Sequence, residues 1–452
     1  MDRSDEHVTP VLRDALGRRQ FLRGVAATGV VAGAGGLLAA CGGSSTPASS
    51  STSEKPKYGG NLSVGMSGGS SSDTLDPNQG LTEVDTGRSE CLYEPLVKLD
   101  KDAKHEFVLA ESITPHNGSL SEWVIKLRPG ITWHNGKDFT AGQRSVFLRN
   151  KNYWQHGLPY LDAVTFIDFS DNAAVQDALT TGAIQAAGQL DPPQIPALAN
   201  THGVVAVASR TGQFKPFTMR IDRPPFNDVN VRQAMRLLVD RQQLIDSALD
   251  GYGVVASDVF SPYDPDFDSS LHRQQDIPQA KALLKKAGFD GNLKVTLTTS
   301  PLETGMVAMA TVLAEQAAAA GVTINLQNVD PGTFFATGKY LNWTFSQDYY
   351  SYTPYLNQVS QSFLGSASPF NETHLNNQHY TNLYNMANAE PDAAKRKEIL
   401  YEMQNFDFTQ GVYIIPTFMD SLDAYSDKLK GWSTAKVGES LSNWAFRTFW
   451  FA

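Results

Sequence analysis

From residue 162 onward, runs of strand length alternate with runs of helical period, and this alternation confines the chain to a mixed α/β architecture with strands paired across long sequence distances. Residues 164–169 are apolar and strand-like. Residues 172–181 carry a helical pattern with Ser170 or Asp171 as N-cap and Gly182 as its stop. After Pro224-Pro225-Phe226, the residues Val231, Ala234, Met235 and Leu238 share one helical face over 231–239, and a second helix runs over 242–249. The pattern continues with helices at 278–287, 306–320 and 391–404, and with strands at 293–298, 322–326 and 412–418. Ahead of residue 162 the signals are mostly strands: 61–64, the run Cys91-Leu92-Tyr93, 122–128 and 131–134. The last of these enters an Asn135-Gly136 turn, where φ > 0 is needed.

The N-terminus carries a different kind of signal. Arg18-Arg19-Gln20-Phe21-Leu22-Arg23 reads as a twin-arginine export motif built on Arg18 and Arg19. Residues 24–40 are uncharged but only mildly apolar, so they read as a cleavable segment rather than a transmembrane helix. Leu38-Ala39-Ala40 places small residues before Cys41, the pattern of a lipobox cysteine that is acylated and becomes the first residue of the mature chain. Residues 1–40 are thus expected to be a signal peptide, and 41–57 a lipidated Cys41 followed by a flexible Gly/Ser/Thr/Pro tether. The remainder is expected to work outside the cytoplasm, held to the cell membrane by its lipid.

The chain has 452 residues, with 37 Lys and Arg against 47 Asp and Glu, a net charge of −10. That balance argues against nucleic-acid binding and for a solvated extracytoplasmic surface. The length beyond the signal exceeds one compact core and points to two lobes. There are 2 cysteines. With Cys41 acylated, Cys91 stands alone, so no disulfide framework is expected, and Cys91 reads as buried filler.

Several runs in order along the chain resemble one family. Gly59-Gly60-Asn61-Leu62 and Thr74-Leu75-Asp76-Pro77 are similar to its opening, and Tyr93-Glu94-Pro95-Leu96-Val97 to its YEPLV segment. Residues 123–136 (WVIKLRPGITWHNG), Asn150-Lys151-Asn152-Tyr153-Trp154, residues 225–234 (PFNDVNVRQA) with Asp240-Arg241, and residues 280–288 (AKALLKKAG) extend the match. The chain thereby resembles extracellular solute-binding protein family 5, the substrate-binding lipoproteins of peptide, opine and nickel ABC importers. The resemblance implies a type II, two-lobed periplasmic-binding-protein-like α/β fold with an extra subdomain, closing on a small polar solute such as an oligopeptide. It also implies ABC permease subunits as partners and a monomeric receptor. On this basis residues 58–225 would form the first lobe, 226–418 the second, and 419–452 a C-terminal return to the first lobe. No G-x-x-x-x-G-K-[ST] run is present, so ATP hydrolysis is expected on another subunit.

Two departures from the family pattern bear on function. Thr140-Ala141 runs directly into Gly142-Gln143-Arg144, where the family carries a helix and further strands; on the order of ninety residues are missing by resemblance, and the subdomain is expected to be truncated near 140–143. The second departure concerns the W-x-x-D-x-x-[DE]-P stretch, whose Asp pairs with a peptide ammonium. Aligning its Pro with Pro354 puts Asp348 at the Trp, Ser351 at the Asp and Thr353 at the second acid. Either the clamp is absent or Asp348 supplies it from a neighbouring place. Arg220 stands where the family often has Asn and is either an anion-holding fork or a solvated strand residue. Tyr340, Trp343, Tyr349, Tyr350, Tyr352 and Tyr355 crowd the same region, and two or three are expected to line the cavity. The candidate ligand-binding residues are therefore Arg220, Trp343, Asp348, Tyr350, Ser351 and Asn371.

No catalytic residue, cofactor or metal is expected. His374 and His379 lack H-E-x-x-H spacing, and no G-x-S-x-G elbow is present. Two alternatives to a working receptor remain: a scaffold or sensor that has lost transport with the deletion, and a secreted envelope-acting hydrolase.

Overall fold

The computed structural model describes residues 55–66, 73–77, 82–116, 119–128, 144–169, 171–336 and 338–452. Arg18, Arg19, Cys41, the Asn135-Gly136 turn and the 140–143 junction lie outside the described residues.

Two sheets organise the molecule. The first has seven strands: Gly253–Val255, Thr417–Ser426, Ala186–Ala187, Asn61–Met66, Ala163–Asp168 and Arg144–Leu148 in that order, with Val204–Phe214 also paired to Thr417–Ser426. Asn61–Met66 and Ala163–Asp168 run parallel from the Asn61–Ala163 pair to the Met66–Asp168 pair. Parallel strands are covered on both faces. Leu62, Val64, Met66 and Phe166 are accordingly buried in one core with Leu441, Trp444 and Phe449 from the chain's end. The second sheet has five strands in the order Val322–Asn328, Leu293–Thr299, Phe345–Gln347, Phe217–Met219 and Tyr413–Ile414. Here Leu293–Thr299 and Val322–Asn328 are joined in parallel through the helix Met306–Ala317, whose Met309, Ala310, Leu313 and Ala317 pack into the largest core. Each sheet is the floor of one lobe, and the fold is two-lobed.

The chain crosses from the first sheet to the second at Lys215-Pro216, between Val204–Phe214 and Phe217–Met219. It returns at Ile415-Pro416, between Tyr413–Ile414 and Thr417–Ser426. Proline has no N–H to donate, which suits it to the point where a ladder ends. The two crossings lie side by side, because Phe217 pairs with Ile414 and Thr218 with Tyr413. The strand expected over 412–418 is therefore two strands, one in each sheet.

The helices begin where aspartates cap them. Asp171, Asp228, Asp240 and Asp276 accept from Ala174, Asn230, Gln243 and Gln279 backbone N–H groups. Such a cap contributes about 1 kcal/mol. The start expected at 172 with Asp171 as cap matches, while those expected at 231, 242 and 278 fall one or two residues late. Cys91 is a clearer correction. It lies in the helix Glu83–Leu92, capped by Thr82, rather than in a strand. Its helix buries Val84, Gly87 and Arg88 on one side, a face too polar to register as a helical stripe in the sequence. Burial pushes the Cys91 thiol up, as suits filler rather than a nucleophile.

Two local features strain or expose the first lobe. Leu441, Ser442, Asn443 and Trp444 all take positive φ, from 52 to 61°, forming a left-handed turn. Each such residue costs roughly 1–2 kcal/mol. The turn is held by Leu441 N donating to Asp423 at 3.2 Å, Asn443 Nδ2 to Leu99 O at 3.1 Å and Trp444 Nε1 to Glu439 at 2.8 Å. Separately, Ala110–His116 and Ser119–Leu127 form a two-stranded sheet of their own, with Val124, Ile125 and Leu127 exposed at 47, 46 and 58%. Apolar surface and an open edge are thus exposed together on this ribbon.

Gly431 offers a direct check of the packing around that core. Its φ is +88° and a Cβ would stand 2.2 Å from the Thr448 carbonyl oxygen. Gly431→Ala is expected to cost about 2–4 kcal/mol, read as a lower urea midpoint at unchanged slope.

Candidate functional site

The lobes face each other across a cleft built from both sheets. The first lobe supplies Glu83, at the first turn of its capped helix; Gln189, just past the strand Ala186–Ala187; and Ser440, ahead of the left-handed turn. The second lobe supplies Glu303 and Thr304, in the loop leaving the carboxyl end of Leu293–Thr299, with Lys215 at the first crossing. Carboxyl ends of parallel strands are where open α/β sheets take ligands. The space left between these side chains is about 20 Å³, room for one water. The lobes are shut on one another.

Polar contacts bridge the closure. Gln189 Nε2 donates to Glu303 Oε1 at 2.7 Å, and Thr304 Oγ1 donates to the Gln189 carbonyl at 2.8 Å. Lys215 Nζ donates to the Thr304 carbonyl at 2.6 Å and lies 3.6 Å from Glu303 Oε2. Ser440 Oγ donates to Glu83 Oε2 at 3.0 Å. Burial, then repulsion from Glu303 and Glu439, pushes the Glu83 carboxyl well above its ordinary range. Burial raises Glu303 too, against the pull of Lys215, and makes the Lys215 ammonium easier to deprotonate.

A second carboxylate lies deeper in the second lobe. Asp348 follows the strand Phe345–Gln347 and is 4% exposed. Its oxygens accept from Tyr340 Oη at 3.1 Å and Tyr349 N at 2.9 Å, and burial pushes its carboxyl up to about 7. Among the described residues, no Lys, Arg or His side chain pairs with it. Glu372 stands nearby, accepting from Tyr350 Oη at 2.8 Å and from Tyr413 Oη. Burial, then the Asp348 charge, raises Glu372 to about 8.

The structure places the other candidates as follows. Arg220 is buried and donates to both Asp222 oxygens at 2.7 and 2.9 Å, and to Asn342 O and Oδ1 at 3.1 Å. That pairing holds the Asp222 carboxyl below its usual range. Trp343 stacks near Phe334 and donates to its carbonyl. Tyr350 stacks on Phe214 with centroids 5.4 Å apart. Ser351 is half-buried between Tyr350 and Tyr352. Asn371 ties its own loop, donating to the Gly365 and Leu375 carbonyls. Asp348 and Tyr350 thus meet in one carboxylate–tyrosine network through Glu372, whereas Arg220, Trp343 and Asn371 each have partners elsewhere. None of the six, and none of the six crowded aromatics, lines the closed space. Sequence reasoning missed Glu83, Gln189, Lys215 and Glu303. The one signal was Lys215-Pro216 at the end of a strand; Gln189 has a φ of +57°, a conformation its residue type does not announce.

Two lobes joined by adjacent crossings, with charged groups from both meeting in the cleft, define a fold of the periplasmic-binding class. Comparison with known sequences bears this out. The chain belongs to the bacterial extracellular solute-binding proteins, family 5: residues 139–371 match the family's middle region, described as "Bacterial extracellular solute-binding proteins, family 5 Middle". Such proteins are the solute-binding components of ABC importers. The glutathione-binding protein GsiB of Salmonella typhimurium is 24% identical over 353 residues, 58% of this chain and 69% of that relative. Since 58% of 452 residues falls about ninety short of 353, this chain has about ninety fewer residues than the relative across the matched stretch. The fold is similar to that of the oligopeptide-binding protein AppA of Bacillus subtilis, solved with a nonapeptide (TM-score 0.74, 18% identity, 88% of this chain and 100% of that one). It is similar also to DppA from Helicobacter pylori, solved with the peptide STSA (TM-score 0.77, 14% identity, 87 and 98%).

Proposed function

We propose that this chain is a lipid-anchored extracytoplasmic receptor that captures a peptide-like solute through its ammonium group and presents it to an ABC permease. Asp348 carries the reading. A buried carboxylate with no cationic partner is costly, and a solute ammonium supplies what is lacking. Tyr340 and the Tyr349 N–H already orient its two oxygens. Arg220 serves a solute carboxylate only by exchanging it for Asp222. Export through Arg18-Arg19 and acylation of Cys41 put the receptor at the membrane surface. The chain is a shortened family member: the roughly ninety-residue deficit against GsiB and the exposed Val124, Ile125 and Leu127 both support that reading. Both lobes keep a sheet of their own, and the two crossings join them.

The test is a thermal melt of the unlipidated chain with free peptides, their N-acetylated counterparts and oligosaccharides. A solute at a hundred times its dissociation constant adds about 2.7 kcal/mol, a shift of a few degrees. Free peptides are expected to raise the melting temperature and N-acetylated ones to leave it unchanged. Equal shifts from acetylated peptides, or a shift from sugars alone, would remove the ammonium from the proposal.

A further inference from the structure

We propose that closure of the ligand-free lobes is proton-gated: Glu83 of the first lobe and Glu303 of the second line one cleft, and closing is favoured while that pair keeps a proton. The inference goes beyond solute capture and is independent of which solute binds.

The geometry is one of excess negative charge between two moving bodies. Glu83 faces Ser440, Glu439 and Asp423 on its own lobe and Glu303 on the other. Glu303 faces Lys215, Gln189 and Glu439. Lys215 also faces Asp191. Tyr349, from the second lobe, faces Glu303, Asp348, Glu83 and Glu439, and its phenol stays neutral because burial and these charges push it upward. At the rim Asp420 is engaged by Arg210 at 3.3 Å. Among the described residues Lys215 is the one ammonium in the middle of this group. The latch is made of two hydrogen bonds on a single residue, Gln189, both to the second lobe.

When the lobes part, Glu83 and Glu303 regain water and separate, so both return toward ordinary carboxylate behaviour. Closing therefore takes up a proton wherever the pH lies between the ordinary carboxylate value and the raised closed-state value. Closure is favoured in mild acid and is lost as pH rises through the raised values. Asp423, pushed up to about 7 by burial, adds to the same trend if parting the lobes wets it. Lys215 acts in the opposite sense and at higher pH, since burial favours its neutral form.

The experiment measures the distance between spin labels on the exposed positions Asp177 (first lobe) and Lys281 (second lobe), without solute, across the range from about pH 5 to about pH 8. The closed-to-open ratio is expected to fall about tenfold per pH unit for each proton released. The pair of substitutions Glu83→Gln and Glu303→Gln is expected to abolish the loss of closure as pH rises. Gln189→Gly relieves the positive φ, so the fold is kept, yet it is expected to show the open distance even in acid. A native protein whose distance distribution does not change with pH would overturn the proposal. So would the same pH response in the doubly substituted chain. Because no solute is present, neither outcome depends on the ammonium reading of Asp348.

Discussion

Asp258→Ala is expected to cost about 3–5 kcal/mol. Asp258 is buried, and three arginines surround it. Arg241 Nη2 lies 2.9 Å from both of its oxygens, Arg236 Nε 3.8 Å from one, and Arg273 pairs with it as well. It also accepts from Ile415 N at 2.9 Å, fixing the second crossing. Burial alone would raise this carboxyl, but the three guanidinium groups overcome burial and hold it below its usual range. Its contribution is therefore present above the ordinary carboxylate value and fades as pH falls through the depressed one. Removing it leaves three buried positive charges around an empty place. Urea unfolding at neutral pH measures the effect, and a loss under about 1 kcal/mol would show that backbone carbonyls such as those of Asp407, Phe408 and Tyr413 satisfy the arginines unaided.

Asp348→Asn has the second large effect, and it acts on binding in one direction and on stability in the other. A charge-assisted pair contributes about 1.5–3 kcal/mol, so affinity for a free peptide is expected to fall roughly ten- to a hundredfold. The free protein should not suffer. Asp348 has its carboxyl raised to about 7, so its ionisation opposes folding, and stability falls as pH climbs from the ordinary carboxylate range through that value. The amide removes this fall, and the variant should melt higher than the native protein above neutral pH. Titration calorimetry and melts on either side of neutrality check both halves. Unchanged affinity would move the ammonium site elsewhere in the cleft.

The parts of the fold that repeat were legible, and the parts set by contacts across the chain were not. Helices with a strong apolar face, such as the one bearing Val231, Ala234 and Met235, announce themselves, as do glycine stops such as Gly182 and Gly321. The helix around Cys91 did not, because Asp85 and Arg88 are buried on the face that should have been apolar. The change of sheet at Ile415-Pro416 was hidden for a related reason. Tyr413, Ile414, Thr417 and Phe418 are all buried, and an unbroken buried run looks like one strand whichever sheet receives each half. In the cleft, Asp348 could be found from a motif, though not its freedom from any cation. Gln189 and Glu303 lie 114 positions apart and become partners only when the lobes meet.

The side-by-side crossings mean that neither lobe is a continuous piece of chain. Strands from before Lys215 and the strand Thr417–Ser426 share a sheet, and Gly253–Val255 is lent to that sheet from within the segment that otherwise builds the second. A protease that nicks the chain at Lys215-Pro216 would leave two fragments held together by the pairing of Thr417–Ser426 with Val204–Phe214 and Ala186–Ala187. Digestion would show on a denaturing gel and not in solution. The same threading dictates how the lobes are to be dissected: the second can be excised as one insert only if the borrowed strand goes with it, and the first can be made alone only by splicing a new connection where the two prolines now stand.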